Sequence, residues 1–361
     1  MSPLNKKLNN VKWGEFKFDG LFKVCTVSNK LSKLDLENKA KIPVFSSEST
    51  NNGIIGYTNK KAEFIISDEI PYYIIFGDHT RTFNITTENF CVADNVKVLK
   101  PISSYSKNEL LFIISSWKKC VPNKGYSRHW SIANKVHFEL PIKNGKIDFD
   151  FMENFINYLE TERMTKLDAY LVENGLHDYE LSAKEKQVLL DFEKDKIKFV
   201  EFTYQNIFNN IKQGRRLKKD DQILGDIPFV MAGVTDTGIV NHISNPVATF
   251  PKNSITIDIF GNTFYRNYDY GAGDDTGVYW NDKTEFSKET MLFFASSMEK
   301  SIFGKFDYSN KLRSSKSLNF KMKLPIKSKK PDYEIIETLI SAIQKTVVKD
   351  VVLYVKNKGN C

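Results

Sequence analysis

Residues 148–160 read D-F-D-F-M-E-N-F-I-N-Y-L-E, and residues 332–344 read D-Y-E-I-I-E-T-L-I-S-A-I-Q. At the 184-residue offset between them, Asp148 falls on Asp332, Asp150 on Glu334, Glu153 on Glu337, Ile156 on Ile340 and Leu159 on Ile343. Apolar positions recur three and four apart: Met152, Phe155, Ile156, Leu159, Leu167 and Leu171 in the first copy, Ile336, Leu339, Ile340, Ile343, Val347 and Val351 in the second. That spacing predicts an amphipathic helix in each place, with acidic residues in the first turn, where the helix dipole favours them. A helix over 148–172 would be on the order of 37 Å long. Two unrelated surface helices could share a stripe, but they would not share their flanks.

The flanks match too. W-G-E-F-K-F-D-G-L-F at 13–22 answers F-V-E-F-T-Y-Q-N-I-F at 199–208, I-P-V-F at 42–45 answers I-P-F-V at 227–230, and T-N-N-G-I at 50–54 answers T-D-T-G-I at 235–239. Phe76-Gly77 is matched with Phe260-Gly261, Leu111-Phe112 and Ser115-Ser116 with Leu292-Phe293 and Ser296-Ser297, and Leu140-Pro141-Ile142-Lys143 with Leu324-Pro325-Ile326-Lys327. The offset stays between 181 and 186 residues, so the chain is two copies of one unit.

With 361 residues there is room for two or three domains, and 41% hydrophobic against 27% charged residues indicates a globular chain. No apolar run approaches the roughly 20 residues of a membrane helix, and the first ten residues, M-S-P-L-N-K-K-L-N-N, lack a signal-peptide core. Cys25, Cys91, Cys120 and Cys361 form no C-x-x-C pair, which points away from a zinc site or disulfide framework and towards a reducing cytoplasm. The net charge of +8 permits an anionic partner without demanding one.

Between the helices, residues 13–145 and 199–330 read as mixed, mostly β units, and each carries polar loops. In the first unit the candidates for contact with phosphates and base edges are Asn52; Asp78, His79, Thr80 and Arg81; and Lys124, Tyr126, Ser127, Arg128 and His129. In the second they are Arg215, Arg216 and Lys218; Asn262, Thr263, Tyr265, Arg266 and Tyr268; and Lys305, Tyr308, Asn310 and Arg313. Any of these could equally be an ordinary solvated turn residue. After the first helix Gly175 breaks the pattern, and residues 181–198 resume as a second helix with Ser182 as its N-cap, which predicts an antiparallel helical hairpin. The apolar frames of the two copies agree while their loops differ, as expected of two recognition modules reading different sequences.

These motifs, in this order and twice over, resemble the DNA-specificity subunits of restriction-modification systems, most closely the BcgI-like type IIB subunits and their type I relatives. The resemblance covers nearly the whole chain. It implies an α+β fold with two target-recognition domains, 1–147 and 199–330, held apart by coiled-coil-like helices at 148–198 and 331–361 in a pseudo-twofold arrangement. Each domain would read one half of a bipartite double-stranded DNA sequence. The helices would set the gap and dock methyltransferase or fused restriction-methylase subunits, two per chain. About 37 Å of helix is close to the roughly 34–36 Å between successive half-sites on one face of a duplex.

The rival class is a stand-alone DNA-modifying or DNA-cleaving enzyme. The one Asn-Pro, Asn245-Pro246, runs on into Val247-Ala248 and lacks the motif that holds a flipped base. Asp274-Asp275 lies among glycines and reads as a turn. His79, His129, His137, His177 and His242 show no metal-ligand spacing. The residues therefore predict neither catalysis, nor a metal, nor a cofactor. A structural adaptor without sequence readout would hardly need basic, aromatic-rich loops in both copies.

Overall fold

In the computed structural model residues 8, 9 and 11–359 are described; Cys361 lies outside them. The chain divides into two compact units, Met1–Lys166 and Leu167–Cys361.

The first unit is built from three sheets. Lys12–Phe16 pairs antiparallel with Phe138–Lys143, which also pairs with Lys146–Ile147. Phe22–Cys25, Val96–Pro101, Tyr73–Gly77 and Phe83–Thr86 form a central antiparallel sheet in that order. Ile54–Thr58, Ile42–Phe45 and Cys91–Val92 form an outer sheet whose last pairing is parallel. Tyr73–Gly77, Y-I-I-F-G, is buried throughout because both of its faces are covered. Ile74 and Phe76 pack with Leu110, Ile113 and Trp117 of helix α1 (Lys107–Cys120), whereas Tyr73 and Ile75 pack with Phe45, Phe90 and Val92. A capping box of Ser106 and Glu109 starts α1. Trp117 is its centre: wholly buried, stacked with Phe18, Phe22 and Phe138, and donating from Nε1 to the Ala133 carbonyl at 2.8 Å.

The second unit repeats this plan, with one more strand in its outer sheet. Phe199–Thr203 pairs with Lys321–Lys327, which pairs with Lys330–Pro331. The central order is Asn210–Gln213, Thr276–Trp280, Ser254–Asp258, Thr263–Arg266, and the outer order is Ile239–Ile243, Leu224–Val230, Tyr270–Ala272, Thr249–Phe250, again with one parallel pairing. Even the register is kept, since Trp13 faces Pro141 and Phe199 faces Pro325. The matched glycines Gly53 and Gly238 end turns with φ near +81° and +85°. A Cβ there would meet Asn84 Nδ2 at 2.7 Å in one unit and the Met231 carbonyl at 2.7 Å in the other.

The two long helices are present as α2 (Phe149–Glu173) and, at the end of the chain, Tyr333–Gly359. The acidic residue matched by the repeat has the same task in each. Glu153 accepts from Ser106 Oγ and Asn108 Nδ2 at the start of α1, and Glu337 accepts from Ser287 Oγ at the start of Lys288–Ile302.

Two expectations need correction. The helix after Gly175 is α3 (Ala183–Glu193), shorter than expected because Asp195 turns left-handed, and its extensive packing is against Tyr333–Gly359. Numbering on in chain order, Lys288–Ile302 is α4 and Tyr333–Gly359 is α5. Glu185 of α3 explains the pairing. It is buried, it accepts from Ser341 Oγ at 2.7 Å and from Lys345 Nζ at 3.3 Å, and Lys345 also meets Asp178 at 2.7 Å. Burial pushes the Glu185 carboxyl up, but the Ser182 N–H, the Ser341 and Ser182 hydroxyls and the Lys345 ammonium outweigh it and hold the group down at about 2. The second correction is to one match in the repeat. Phe76 lies within the strand Tyr73–Gly77, but Phe260 lies beyond the strand Ser254–Asp258. The backbone equates Asp78 with Ile259, for Asp78 N–H donates to the Asn95 carbonyl at 2.8 Å and Ile259 N–H to that of Asp275 at 2.9 Å.

Candidate nucleic-acid interface

In the first unit three loops converge at one end of the central sheet. The backbone N–H of His79 donates to Ser47 Oγ at 2.8 Å, joining loop 77–82 to loop 46–53. His129 joins loop 77–82 to loop 122–129: its N–H donates to the Asp78 carbonyl at 2.9 Å, its Nδ1 lies 2.9 Å from the same oxygen, and its Nε2 accepts the Lys124 N–H at 3.1 Å. Asp78 is buried and accepts the Trp130 N–H at 2.6 Å, and Arg81 donates to the Val121 carbonyl. Thr80 pairs with Thr82 at 2.8 Å. Asp78, Thr80, Arg81 and His129 thus fasten the loops to one another. Asn52, left-handed at φ 50°, and Lys124, Tyr126, Ser127 and Arg128 stand exposed around them. The His79 ring lies flat on the Tyr126 ring, centroids 4.5 Å apart and planes 1° from parallel. Lys30, Lys97 and Arg128 line a cavity of about 340 Å³ beside Asp78 and Asp94, so cationic groups gather at this end.

The second unit builds its loop end with carboxylates. Asp258 accepts the N–H groups of Phe260 and Asn262 at 2.8 and 3.0 Å, Asn262 Nδ2 at 2.7 Å and Gly233 N–H at 3.0 Å. Asp275 accepts Ala232 N–H at 3.0 Å, and the Asp274 carbonyl accepts from Gln213 and Arg313. The Asp274-Asp275 pair therefore serves a turn. In loop 304–313, Asp307 accepts the N–H groups of Ser309 and Asn310 at 2.8 Å each and the Ser309 hydroxyl at 2.7 Å, which hold its carboxyl below the usual range. Lys305, Tyr308 and Asn310 are exposed on this loop, and Arg215, Arg216 and Lys218 on the loop that follows the strand Asn210–Gln213. The Lys311 ammonium sits 4.3 Å from the centroid of the Tyr308 ring.

Arg266 departs from the sequence expectation most clearly. It is on a strand, 2% exposed, and spends its guanidinium internally: Nε on Thr256 Oγ1 at 3.1 Å, Nη1 on Thr237 Oγ1 and Tyr268 Oη at 3.0 and 2.9 Å, and Nη2 on the Thr237 carbonyl at 2.6 Å. The cause lies in the central strand. The positions that carry Tyr73 and Ile75 in the first unit are Ser254 and Thr256 here, and the space between the sheets is filled by Arg266 and by Tyr270, whose hydroxyl meets Ser254 at 2.8 Å. Burial pushes the Tyr270 phenol up. Thr263 is also buried, Asn262 is held by Asp258, Tyr265 packs against the core, Tyr268 accepts from Arg266, and Arg313 ties two loops. As folded, Thr263 and Arg266 are buried and Asn262, Tyr265, Tyr268 and Arg313 half-buried, each engaged within the unit. Sequence reasoning missed the anchoring groups Ser47 and Asp258, for which a lone serine or an aspartate at a strand end gives no distinctive signal.

Duplicated frames, each ending in a rigid, exposed, partly cationic loop surface, define a binding protein with two modules. Among the described residues no group of three or more His, Cys, Asp or Glu is placed to hold a metal ion, and no helix is long and apolar enough to cross a membrane.

The chain belongs to the type I restriction modification DNA specificity domain family, whose model matches it twice, over residues 10–169 and 196–351. It is 23% identical over 347 residues to the type II restriction enzyme BgcI specificity subunit S.BcgI of Heyndrickxia coagulans, covering 94% of this chain and 97% of that protein. Its fold is similar to that of the crystal structure of the type I restriction-modification system S subunit from M. genitalium, with a TM-score of 0.64, 16% identity, and coverage of 99% of this chain and 95% of that one. The protein is thus a specificity subunit of a restriction-modification system, a non-catalytic component with two recognition domains.

Proposed function

We propose that each unit reads one half-site of a bipartite duplex sequence through its loop end. In the first unit Asn52, Lys124, Tyr126, Ser127 and Arg128 make the contacts; in the second, Arg215, Arg216, Lys218, Lys305, Tyr308 and Asn310 do. The recognition domains span 1–147 and 199–330, and the helical segments 148–198 and 331–361 set the unspecific gap. Those segments also dock methyltransferase or fused restriction-methylase subunits, two per chain, in the cytoplasm. The exposed apolar residues Val347, Val351 and Tyr354 on α5 suit that docking.

One observation carries this reading: the same frame occurs twice with the same register, while the loops at the corresponding ends differ in chemistry. The test is to co-express the chain with its modification subunits and sequence the methylated sites. A motif of two defined blocks flanking a fixed unspecified gap is expected. Exchanging loop 122–129 should alter one block and leave the other intact. Methyl transfer or cleavage by the chain alone, or an undivided motif, would overturn the proposal.

A further inference from the structure

Tyr126 and Tyr308 occupy the same place in the two units, each six residues beyond the last residue of its helix, Cys120 of α1 or Ile302 of α4. Both rings stand out from their loops, Tyr126 88% and Tyr308 81% exposed. Neither ring hangs free. The parallel His79 ring lies against one face of Tyr126, with the His79 N–H held by Ser47 and its Nδ1 3.3 Å from the Ser127 carbonyl. One side of the Tyr308 ring is covered by the Lys311 ammonium. The loops beneath are cross-braced: Ser127 Oγ donates to the Lys124 carbonyl at 2.8 Å, Gly125 N–H to Asn123 Oδ1 at 3.0 Å, and Asn310 Nδ2 to the Lys305 carbonyl at 3.0 Å. The braces differ in chemistry between the units, but the outcome is the same, a ring backed on one face by a neighbour and otherwise open.

We propose, resting on the reading that each unit binds a DNA half-site, that Tyr126 and Tyr308 are paired stacking residues, each laying its open face on a base at an opened base step of its own half-site. The chemistry suits this use. Every base has a π-face, so the same ring can serve two unlike half-sites without reading their sequence. Apolar side chains inserted at base steps are a general means of opening a stack. Holding the ring in advance spares the entropy of ordering it on binding. His79 behind Tyr126 would extend the stack by a second ring, whereas Lys311 behind Tyr308 would add a positive charge near the backbone.

The experiment uses the chain assembled with its modification subunits and the duplex that the wild-type complex selects from a randomised pool. 2-Aminopurine is placed in turn at each position of both half-sites, and fluorescence is read at saturating protein. The expected result is a stacking-sensitive change at one step of each half-site. Tyr126→Ala abolishes it in the first unit's half-site only and weakens binding about 5- to 150-fold; Tyr308→Ala does the same for the other; Tyr126→Phe and Tyr308→Phe preserve both. Alanine variants with unchanged signals and affinity would overturn the inference while leaving the half-site reading intact. So would phenylalanine variants as weak as the alanine ones, since the hydroxyl would then be the contact. A wild-type complex that selects no bipartite sequence overturns both.

Discussion

Replacing Arg266 by alanine separates a residue that builds the surface from one that reads DNA. Its guanidinium makes four hydrogen bonds in a setting that is 2% exposed. A hydrogen bond to a charged group is worth about 1.5–3 kcal/mol, and an orphaned buried acceptor such as Thr256 Oγ1 costs about 1–3 kcal/mol. These contributions are not additive, and removing an arginine that faces no carboxylate also relieves its desolvation. The net should be about 3 kcal/mol of lost stability, or roughly 6–12 °C in the melting temperature of a unit of this size. Calorimetry of the purified chain measures the shift, and sequencing of methylated sites at a permissive temperature measures specificity. The expected outcome is a lower Tm and lower methylation yield with every base of the motif unchanged. Arg266→Lys, with a single ammonium in place of the fork, should fall between. A melting temperature within about 1 °C of wild type, together with relaxed choice at one base pair, would refute the assignment and return Arg266 to the DNA-contacting set.

Three further outcomes are expected. Glu185 has a folded value of about 2, below its ordinary 4.5, so its contribution to the contact between α3 and α5 is complete above about pH 4.5 and is lost as pH falls towards 2. Hydrogen exchange should show α5 losing protection across that window, and Glu185→Gln should flatten the dependence; an identical acid profile in the variant would contradict the assignment. Trp117→Ala removes the hub of the first unit's core and should cost about 3–5 kcal/mol by urea denaturation; a loss under 1 kcal/mol would show that the stacked rings close the gap. Val347→Asp changes a residue that is 74% exposed, so the Tm should stay within about 1 °C while co-purification with modification subunits falls at least tenfold; unchanged assembly would place docking elsewhere.

The duplication could be read from the chain because it rests on apolar spacing and turn glycines, which local physics constrains strongly. Glu153 and Glu337 matched at the sequence level, and both hold the start of a neighbouring helix. Ser182 as a cap was legible because the capping box is a local contact. The partner of α3 was not, because the Glu185 to Ser341 and Lys345 bonds join residues more than 150 positions apart. The same limit misplaced Arg266. A loop-like string of N-T-F-Y-R-N-Y-D-Y gives no sign that Ser254 and Thr256 leave room beneath it for a guanidinium. Tyr126-Ser127 and Tyr308-Ser309 recur at equivalent loop positions, where the exposure of the rings follows from the turn itself.

In each unit the first strand lies beside the last but one, Lys12–Phe16 against Phe138–Lys143 and Phe199–Thr203 against Lys321–Lys327, and the short last strand pairs with that same strand. The chain therefore enters and leaves each module at neighbouring points, held together by a single antiparallel ladder. A segment of that shape can be cut out and replaced by a homologous one without re-threading the remainder. On the half-site reading proposed above, recombination at the two ladder strands would exchange one block of the target for another.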